Sequence, residues 1–317
     1  MFGFERSGTT LLSMMVGAHP QIAVPLSVTG LWFRFAGQLE RYNDIADRAD
    51  LDRLVDDLLA EERIGLWDAS LDRDAVLDGL EPGSYADVVR RFHECYARAK
   101  GKHYWANLDI ATLDSMDVAN NWFPDAKFVH IVRDGRDIAL SHETMPYGAA
   151  NTAECAREWK FRIAVSRKMG AMLGDDRYHV VRYEDLVLNS AEALGGICEF
   201  IGLPFAEEML TYHSMVDAKI PDDKRWLWPA LNKPPVKSKA YGWKKKMSPT
   251  KRAVFEDIAG DTLKSLGYEA YDSVPKSLSR YCYEFWCFLG EGGRFKRLAR
   301  KLGINRQSKL ERAAGRR

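Results

Sequence analysis

The stretch "FGFERSGTTLL", residues 2–12, constrains this chain more than any other. Gly3 and Gly8 bracket a G-x-x-x-x-G spacing, and Thr9 and Thr10 follow directly. Residues 1–4 read as the end of a buried strand. They are short for one, which places the start of that strand upstream. Residues 11–16 read as an apolar helix that "AHP" at 18–20 terminates. A strand, a glycine loop and a helix in succession leave backbone N–H groups free at the helix N-terminus. Those groups and the helix dipole favour a phosphate or sulfate. Ser7, Thr9 and Thr10 add hydroxyl donors, and Arg6 adds a charge-assisted one. The competing account is a tight turn before a well-capped helix.

Downstream, short apolar runs alternate with longer helical patterns. Residues 43–63 place Ile45, Leu51, Leu54, Val55, Leu58 and Leu59 near one helical face. Residues 84–101 begin at a capping Ser84 and stop at Gly101. "AKFVHIV" (126–132) and "YHVVRY" (178–183) read as buried strands. Residues 248–267 open on Ser248 and Pro249 and end at Gly267. This order is that of an α/β fold with a parallel sheet. The expected organisation is one domain over 1–270 and an aromatic, basic extension over 271–317.

A second stretch, "FVHIVRDGRDIALS" (128–141), ends a strand on Arg133, uses Gly135 for a turn and begins a helix at residues 138–141. Arg133 and Ser141 are placed to grip one phosphate from two sides. Taken alone, the stretch is better read as a local Arg133–Asp137 ion pair. Together the two stretches resemble the sulfotransferases that use 3′-phosphoadenosine 5′-phosphosulfate (PAPS). In that family an S-G-T loop preceded by a cation holds the 5′-phosphosulfate, as "ERSGTTLL" does here by position. An R-x-x-x-D-x-x-x-S pattern, matched by Arg133, Asp137 and Ser141, holds the 3′-phosphate. "VVRYEDLVLNSAEALGGICEFIGLPF" (180–205) is similar to the family's strand, Y-E-D-L turn and helix, which sets Tyr183 beside the adenine. "SKAYGWKKKMSPTKRAVFEDIAGDTLKSLGYE" (238–269) is similar to the C-terminal segment of the bacterial branch, with Lys239 a further donor to the 3′-phosphate.

The resemblance runs from residue 2 to about residue 270 in motif order. It implies a P-loop-NTPase-like three-layer sandwich around a central parallel sheet. It implies PAPS as co-substrate, bound by Arg6, Ser7, Gly8, Thr9, Thr10, Arg133, Ser141, Tyr183 and Lys239, with no metal. A kinase loop needs a lysine at the Thr9 position for β- and γ-phosphates, and an acid for Mg²⁺. PAPS has no γ-phosphate. Arg6 is instead placed to reach the bridging oxygen where charge builds as the S–O bond breaks.

The acceptor side departs from the family. One branch carries a glutamate shortly after "AHPQIAV" (18–24); here Pro25, Leu26 and Ser27 follow. The W-G-x-K-T-P segment of related bacterial chains is "WANLDI" (105–110) here, so Leu108 stands at the lysine position. Asp109 is the nearest ionisable group and the candidate base, with His103 next. Asp109 reads equally as a cap on the following helix. Glu5 replaces the usual proline before Arg6 and is placed to pair with it.

Composition sets the remaining expectations. The formal net charge is +1, but residues 294–317 hold ten Lys/Arg and one Glu. The tail therefore carries +9 and the body −8. An acidic body is no general nucleic-acid binder. Residues 281–303, aromatic and then basic, read either as a membrane-surface helix or as a docked C-terminal helix with a solvated face. Five scattered cysteines show no metal spacing and read as reduced thiols of a cytoplasmic protein, with a possible peripheral contact at the inner membrane face. "KRWLWPALNKPP" (224–235) reads as packing or as an acceptor-pocket wall. The rival functions are a nucleotide kinase or NTPase of the same fold, and a PAPS-binding relative without turnover. The acceptor class, whether hydroxyl or amine, lipid or glycan, is open, as is the oligomeric state.

Overall fold

A computed structural model describes residues 1–25, 31–145, 148–215, 231–271 and 281. The tail reading, the family's glutamate position at Leu26 and Ser27, and residues 224–230 lie outside these residues. In chain order the helices and strands are α1 (Thr9–Gly17), β1 (Ile22–Ala23), α2 (Arg48–Leu59), α3 (Arg73–Leu77), α4 (Tyr85–Ala99), β2 (Tyr104–Trp105) and α5 (Met116–Trp122). They continue with β3 (Phe128–Val132), α6 (Gly135–Glu143), α7 (Thr152–Leu173), β4 (Tyr178–Arg182), α8 (Tyr183–Leu188), α9 (Ser190–Ile201), α10 (Trp243–Lys246) and α11 (Pro249–Ser265).

The helix boundaries follow local chemistry. The Ser84 side chain accepts from Asp87 N ahead of α4, and Ser248 accepts from Lys251 N ahead of α11. Pro249 stands at the start of α11, where a missing N–H costs nothing. Gly101 and Gly267 follow the two helices with φ of 63° and 77°, a left-handed conformation that favours glycine. Helix α2 is shorter than the 43–63 pattern because Asp47 caps it, accepting from Ala49 N and Asp50 N. Its Leu51, Leu54, Val55 and Leu58 are buried. Each contributes about 1.5–3 kcal/mol through the apolar area it removes from water.

The chain divides into two compact units. The first comprises Met1–Gly3, Gly8–Ile131 and Met169–Lys237. Its core joins Leu12 and Met15 of α1, Val129 and Ile131 of β3, Val181 of β4, and Leu186, Leu194 and Ile197 of α8 and α9. All five β3 residues are buried, as expected of a strand covered on both faces. Strands β1 and β2 pair in parallel, Ile22 with Tyr104 and Ala23 with Trp105, while β3 pairs with β4. Helices flank small sheets, as the alternating pattern requires. Among the described residues the strands do not join into one sheet, and of residues 1–4 only Phe2 forms a bridge, parallel to His130.

The second unit comprises Phe4–Ser7, Val132–Lys168 and Ser238–Arg317. Gly135 does not make the expected turn: it is the first residue of α6, and Asp134 caps the helix by accepting from Arg136 N. A side chain at Gly135 would run into the rings of Phe255 and Trp159, so close packing selects glycine there. Arg136 is buried and forms ion pairs with Asp134 at 2.7 Å and with Glu256 at 2.5 Å.

Candidate active site

The loop after Phe4 turns back on itself, with Ser7 N donating to Phe4 O at 3.0 Å. Arg6 holds φ of 67°, which costs an L-residue roughly 1–2 kcal/mol. Gly8 follows at φ 97° and precedes α1 as its cap residue. A Cβ on Gly8 would run into the ring of Tyr183, which is buried at the start of α8. The first turn of α1 carries no acid and no side-chain cap. Its first N–H groups therefore keep their anion-accepting capacity, beside the hydroxyls of Thr9 and Thr10. Ser7 is 1% exposed and its Oγ has no hydrogen-bond partner among the described residues. A buried hydroxyl left so costs about 1–3 kcal/mol unless a ligand satisfies it.

The second unit gathers cations. Arg6 Nε donates to Ser141 Oγ at 3.1 Å. Arg133 donates to the carbonyls of Arg6 at 3.0 Å and Lys239 at 2.9 Å. One guanidinium thus ties three sequence-distant segments together. Among the described residues Glu5 forms no ion pair with Arg6. The Lys239 ammonium is pushed below its usual range by partial desolvation, then by Arg133, Arg6 and Lys246. Like charges held together in this way are stabilised by an anion.

Asp137 faces this cluster but is mainly an anchor. Its Oδ1 accepts from Trp243 N at 2.7 Å, while its other oxygen stands 4.0 Å from Arg133. Burial raises its carboxyl first, against the lowering effect of Arg133. The Arg136 guanidinium lies 3.6 Å from the centroid of the Trp243 ring. Asp137 and Arg136 therefore fix the start of α10, a few residues beyond Lys239. Sequence reasoning passed over Arg136 and Trp243. The repeated R-D of "RDGRD" was the available signal.

Asp109 lies in the first unit and caps a 3₁₀ turn, Ile110–Leu113, accepting from Ala111 N at 2.8 Å. It is 4% exposed. Burial pushes its carboxyl up to about 6, against that hydrogen bond and the nearby N-terminal ammonium. His103 is exposed. The structure thus brings Arg6, Ser141, Arg133 and Lys239 together in one unit. It sets Tyr183 against Gly8 in the other, where Asp109 already serves as a cap.

Residues 1–207 match the model of the sulfotransferase family. Protein-tyrosine sulfotransferase 2 of Gallus gallus is 27% identical over 219 residues, covering 68% of this chain and 53% of that protein. The protein-tyrosine sulfotransferase of Drosophila melanogaster is 25% identical over 222 residues, covering 68% and 40%. The chain spans about half the length of these curated relatives. Among solved structures, the sulfotransferase domain of the Synechococcus PCC 7002 olefin synthase superposes with a TM-score of 0.58 at 22% identity. That match covers 85% of this chain and 95% of that one, and shows a shared fold. With its family model matched over 207 of 317 residues, and with the loop and cationic cluster in place, this chain belongs to the PAPS-dependent sulfotransferase family.

Proposed function

We propose that this chain transfers a sulfuryl group from PAPS to an acceptor hydroxyl. The observation that carries this reading is the cluster of Arg6, Arg133 and Lys239, with Arg6 bonded to Ser141 and with a lowered lysine that an anion would restore. The orphaned Ser7 Oγ and the uncapped start of α1 fit a second anionic group. In this reading Arg133, Ser141 and Lys239 bind the 3′-phosphate. Arg6, Ser7, Gly8, Thr9 and Thr10 bind the 5′-phosphosulfate, and Tyr183 flanks the adenine. The finer architecture is a three-layer, P-loop-NTPase-like sandwich.

PAPS supplies an activated sulfuryl group on a phosphate leaving group. In transfer, the acceptor oxygen bonds to sulfur, the sulfur–oxygen bond to the 5′-phosphate breaks, and that oxygen keeps the electron pair. Arg6 and the loop N–H groups stabilise the charge that develops there, an effect worth about 10²–10³ in rate for one well-placed donor. The acceptor proton passes to a base. Asp109, raised toward neutrality, is the candidate. Its capping bond already accounts for the residue, so its catalytic role stands on Asp109→Asn, which keeps the capping oxygen. A drop in turnover at unchanged melting temperature supports the base; unchanged turnover removes it. The acceptor named for the curated relatives, protein tyrosine, is the first to assay. Lipid, glycan and amine acceptors follow.

The cofactor assignment is tested by thermal shift. Adenosine 3′,5′-bisphosphate binds only the folded state and raises the melting temperature. AMP, lacking the 3′-phosphate, does so far less. Equal shifts refute the role given to Arg133, Ser141 and Lys239. A transfer assay with radiolabelled PAPS then separates an enzyme from a relative that binds without turnover.

A further inference from the structure

The last turn of α6 carries a buried titratable group that the site described above does not use. His142 follows Ser141, is 3% exposed and lies in the same compact unit as Phe4–Ser7. Its ring packs against Phe4, with the centroids 5.8 Å apart. The backbone of residues 148–150 lies against it as well. A Cβ at Gly148, where φ is 85°, would stand 2.9 Å from Nδ1. Ala149 N donates to that Nδ1 at 3.1 Å. Nδ1 therefore carries no proton, and the neutral ring holds its proton on Nε2. Nε2 has no partner in full hydrogen-bond geometry among the described residues, but the Glu5 carbonyl acts on the ring from close by. With Nδ1 committed to Ala149, Nε2–H is the group that faces this carbonyl.

The Glu5–Arg6 peptide decides where Arg6 points, because the Glu5 carbonyl carbon sets the φ of Arg6, held at 67°. Beyond that peptide Arg6 is well fixed: its carbonyl accepts from Arg133 at 3.0 Å, and its Nε donates to Ser141 at 3.1 Å. Ahead of it, the Phe4 ring and the Glu5 carbonyl both meet His142. Two neighbouring residues of α6 thus reach the arginine, one at its guanidinium and one at the peptide before it. Burial first, and then the Arg6 charge, lower the imidazole from its usual range, against the Glu5 carbonyl and the Glu154 carboxylate. A proton added at Nδ1 would displace the Ala149 N–H and set a second cation beside Arg6.

We propose that His142 is a positioning residue for sulfuryl transfer: as a neutral imidazole tied to Ala149 through Nδ1, it turns Nε2–H to the Glu5 carbonyl and so fixes the peptide that aims Arg6. It acts through Arg6 rather than on the substrate. A displacement of about 1 Å in a group of this kind costs about 10² in rate. The effect on turnover rests on the PAPS reading; the placement of the ring does not.

Two variants separate the two ring nitrogens. His142→Asn keeps an acceptor where Nδ1 stands and loses the donor at Nε2; His142→Gln does the reverse. Hydrogen exchange is read at the Ser7 amide, which closes the loop on Phe4 O, and at the Ala149 amide. In His142→Asn, exchange at Ser7 should quicken by about tenfold or more while Ala149 stays protected. Its kcat should fall by about 10–10². The PAPS KM and the bisphosphate Kd should stay within about twofold, since Arg6 acts on charge that develops in the transition state. His142→Gln should expose Ala149, protect Ser7 and recover most of the kcat. Nitrogen-15 NMR of the parent protein should show a protonated Nε2 and a bare Nδ1. A proton on Nδ1 overturns the proposal, whether or not either variant folds. Equal effects of the two variants on both amides overturn it, as does a kcat that follows Ala149 rather than Ser7. Bisphosphate binding lost in step with kcat also overturns it, marking His142 as general support for the fold. If no acceptor is turned over, the PAPS reading fails alone, and the amides and the tautomer still decide where the ring acts.

Discussion

Replacing Arg6 by glycine should leave the protein at least as stable as replacing it by alanine, while both changes remove turnover. Both substitutions delete the guanidinium, its bond to Ser141 and its repulsion with Arg133 and Lys239. They differ only in backbone. At φ 67° alanine keeps the left-handed penalty of roughly 1–2 kcal/mol, and glycine does not. Glycine gives back about 0.4–1 kcal/mol through the greater freedom of its unfolded chain. The difference is about 1 kcal/mol in favour of Arg6→Gly, or about 2 °C in melting temperature for a chain of this size. Turnover in both should fall by about 10²–10³, since the lost donor acts on charge that exists only in the transition state. Thermal unfolding and radiolabelled transfer on the parent and both variants decide the matter. If the alanine variant melts above the glycine variant, Arg6 is not held in this conformation. If either variant turns over normally, Arg6 is not part of the chemistry.

Three further outcomes are expected. Asp137→Asn retains the acceptor for Trp243 N and should bind the bisphosphate at least as well as the parent, having lost a carboxylate beside Arg133. Asp137→Ala strands that buried N–H at a cost of about 1–3 kcal/mol and should weaken bisphosphate binding by calorimetry. Burial raises the Asp109 carboxyl from 3.8 to about 6 on folding, so stability should fall as pH rises between those values, and Asp109→Asn should flatten that slope in thermal unfolding. Sedimentation of the full chain with anionic vesicles should be strong at low salt and lost at about 1 M, where screening acts within about 3 Å; no sedimentation at low salt refutes the surface reading of residues 294–317.

The features legible in the sequence were those whose causes are local. Ser84, Ser248 and Pro249 cap helices through neighbours within one turn, and Gly101 and Gly267 stop them through their own φ. The loop at residues 3–10 was legible because glycine spacing and hydroxyl order encode its geometry directly. What escaped depends on distant partners. Arg136 drew no reading, because its second partner, Glu256, lies 120 residues on. Asp137 read as the mate of Arg133, but its short bond is to Trp243 N, 106 residues on. Gly135 read as a turn because glycine usually marks one; Trp159 and Phe255 give it a packing role instead. Among the described residues the strands form two small sheets rather than the single one expected from their order, since strand pairing also depends on partners distant in sequence.

The two arginines of "RDGRD" divide the task of holding the cationic cluster together. Arg133 binds backbone carbonyls of the segments that carry Arg6 and Lys239, so it draws two other cations toward itself. Like charges oppose that arrangement: partial burial first, and then Arg133, Arg6 and Lys246, lower the Lys239 ammonium. A contact between mobile surface loops would relieve it by separating. Here separation is opposed by Arg136, whose charge is matched by Asp134 and Glu256 and whose face lies on Trp243. Breaking a buried pair of this kind costs about 3–5 kcal/mol, more than the repulsion between partly solvated cations releases. Arg136, matched by Asp134 and Glu256, therefore helps hold the segment that Arg133 binds. Truncating Arg136 should release the segment from Lys239 to Trp243 and weaken bisphosphate binding, although Arg136 itself is buried and touches no ligand.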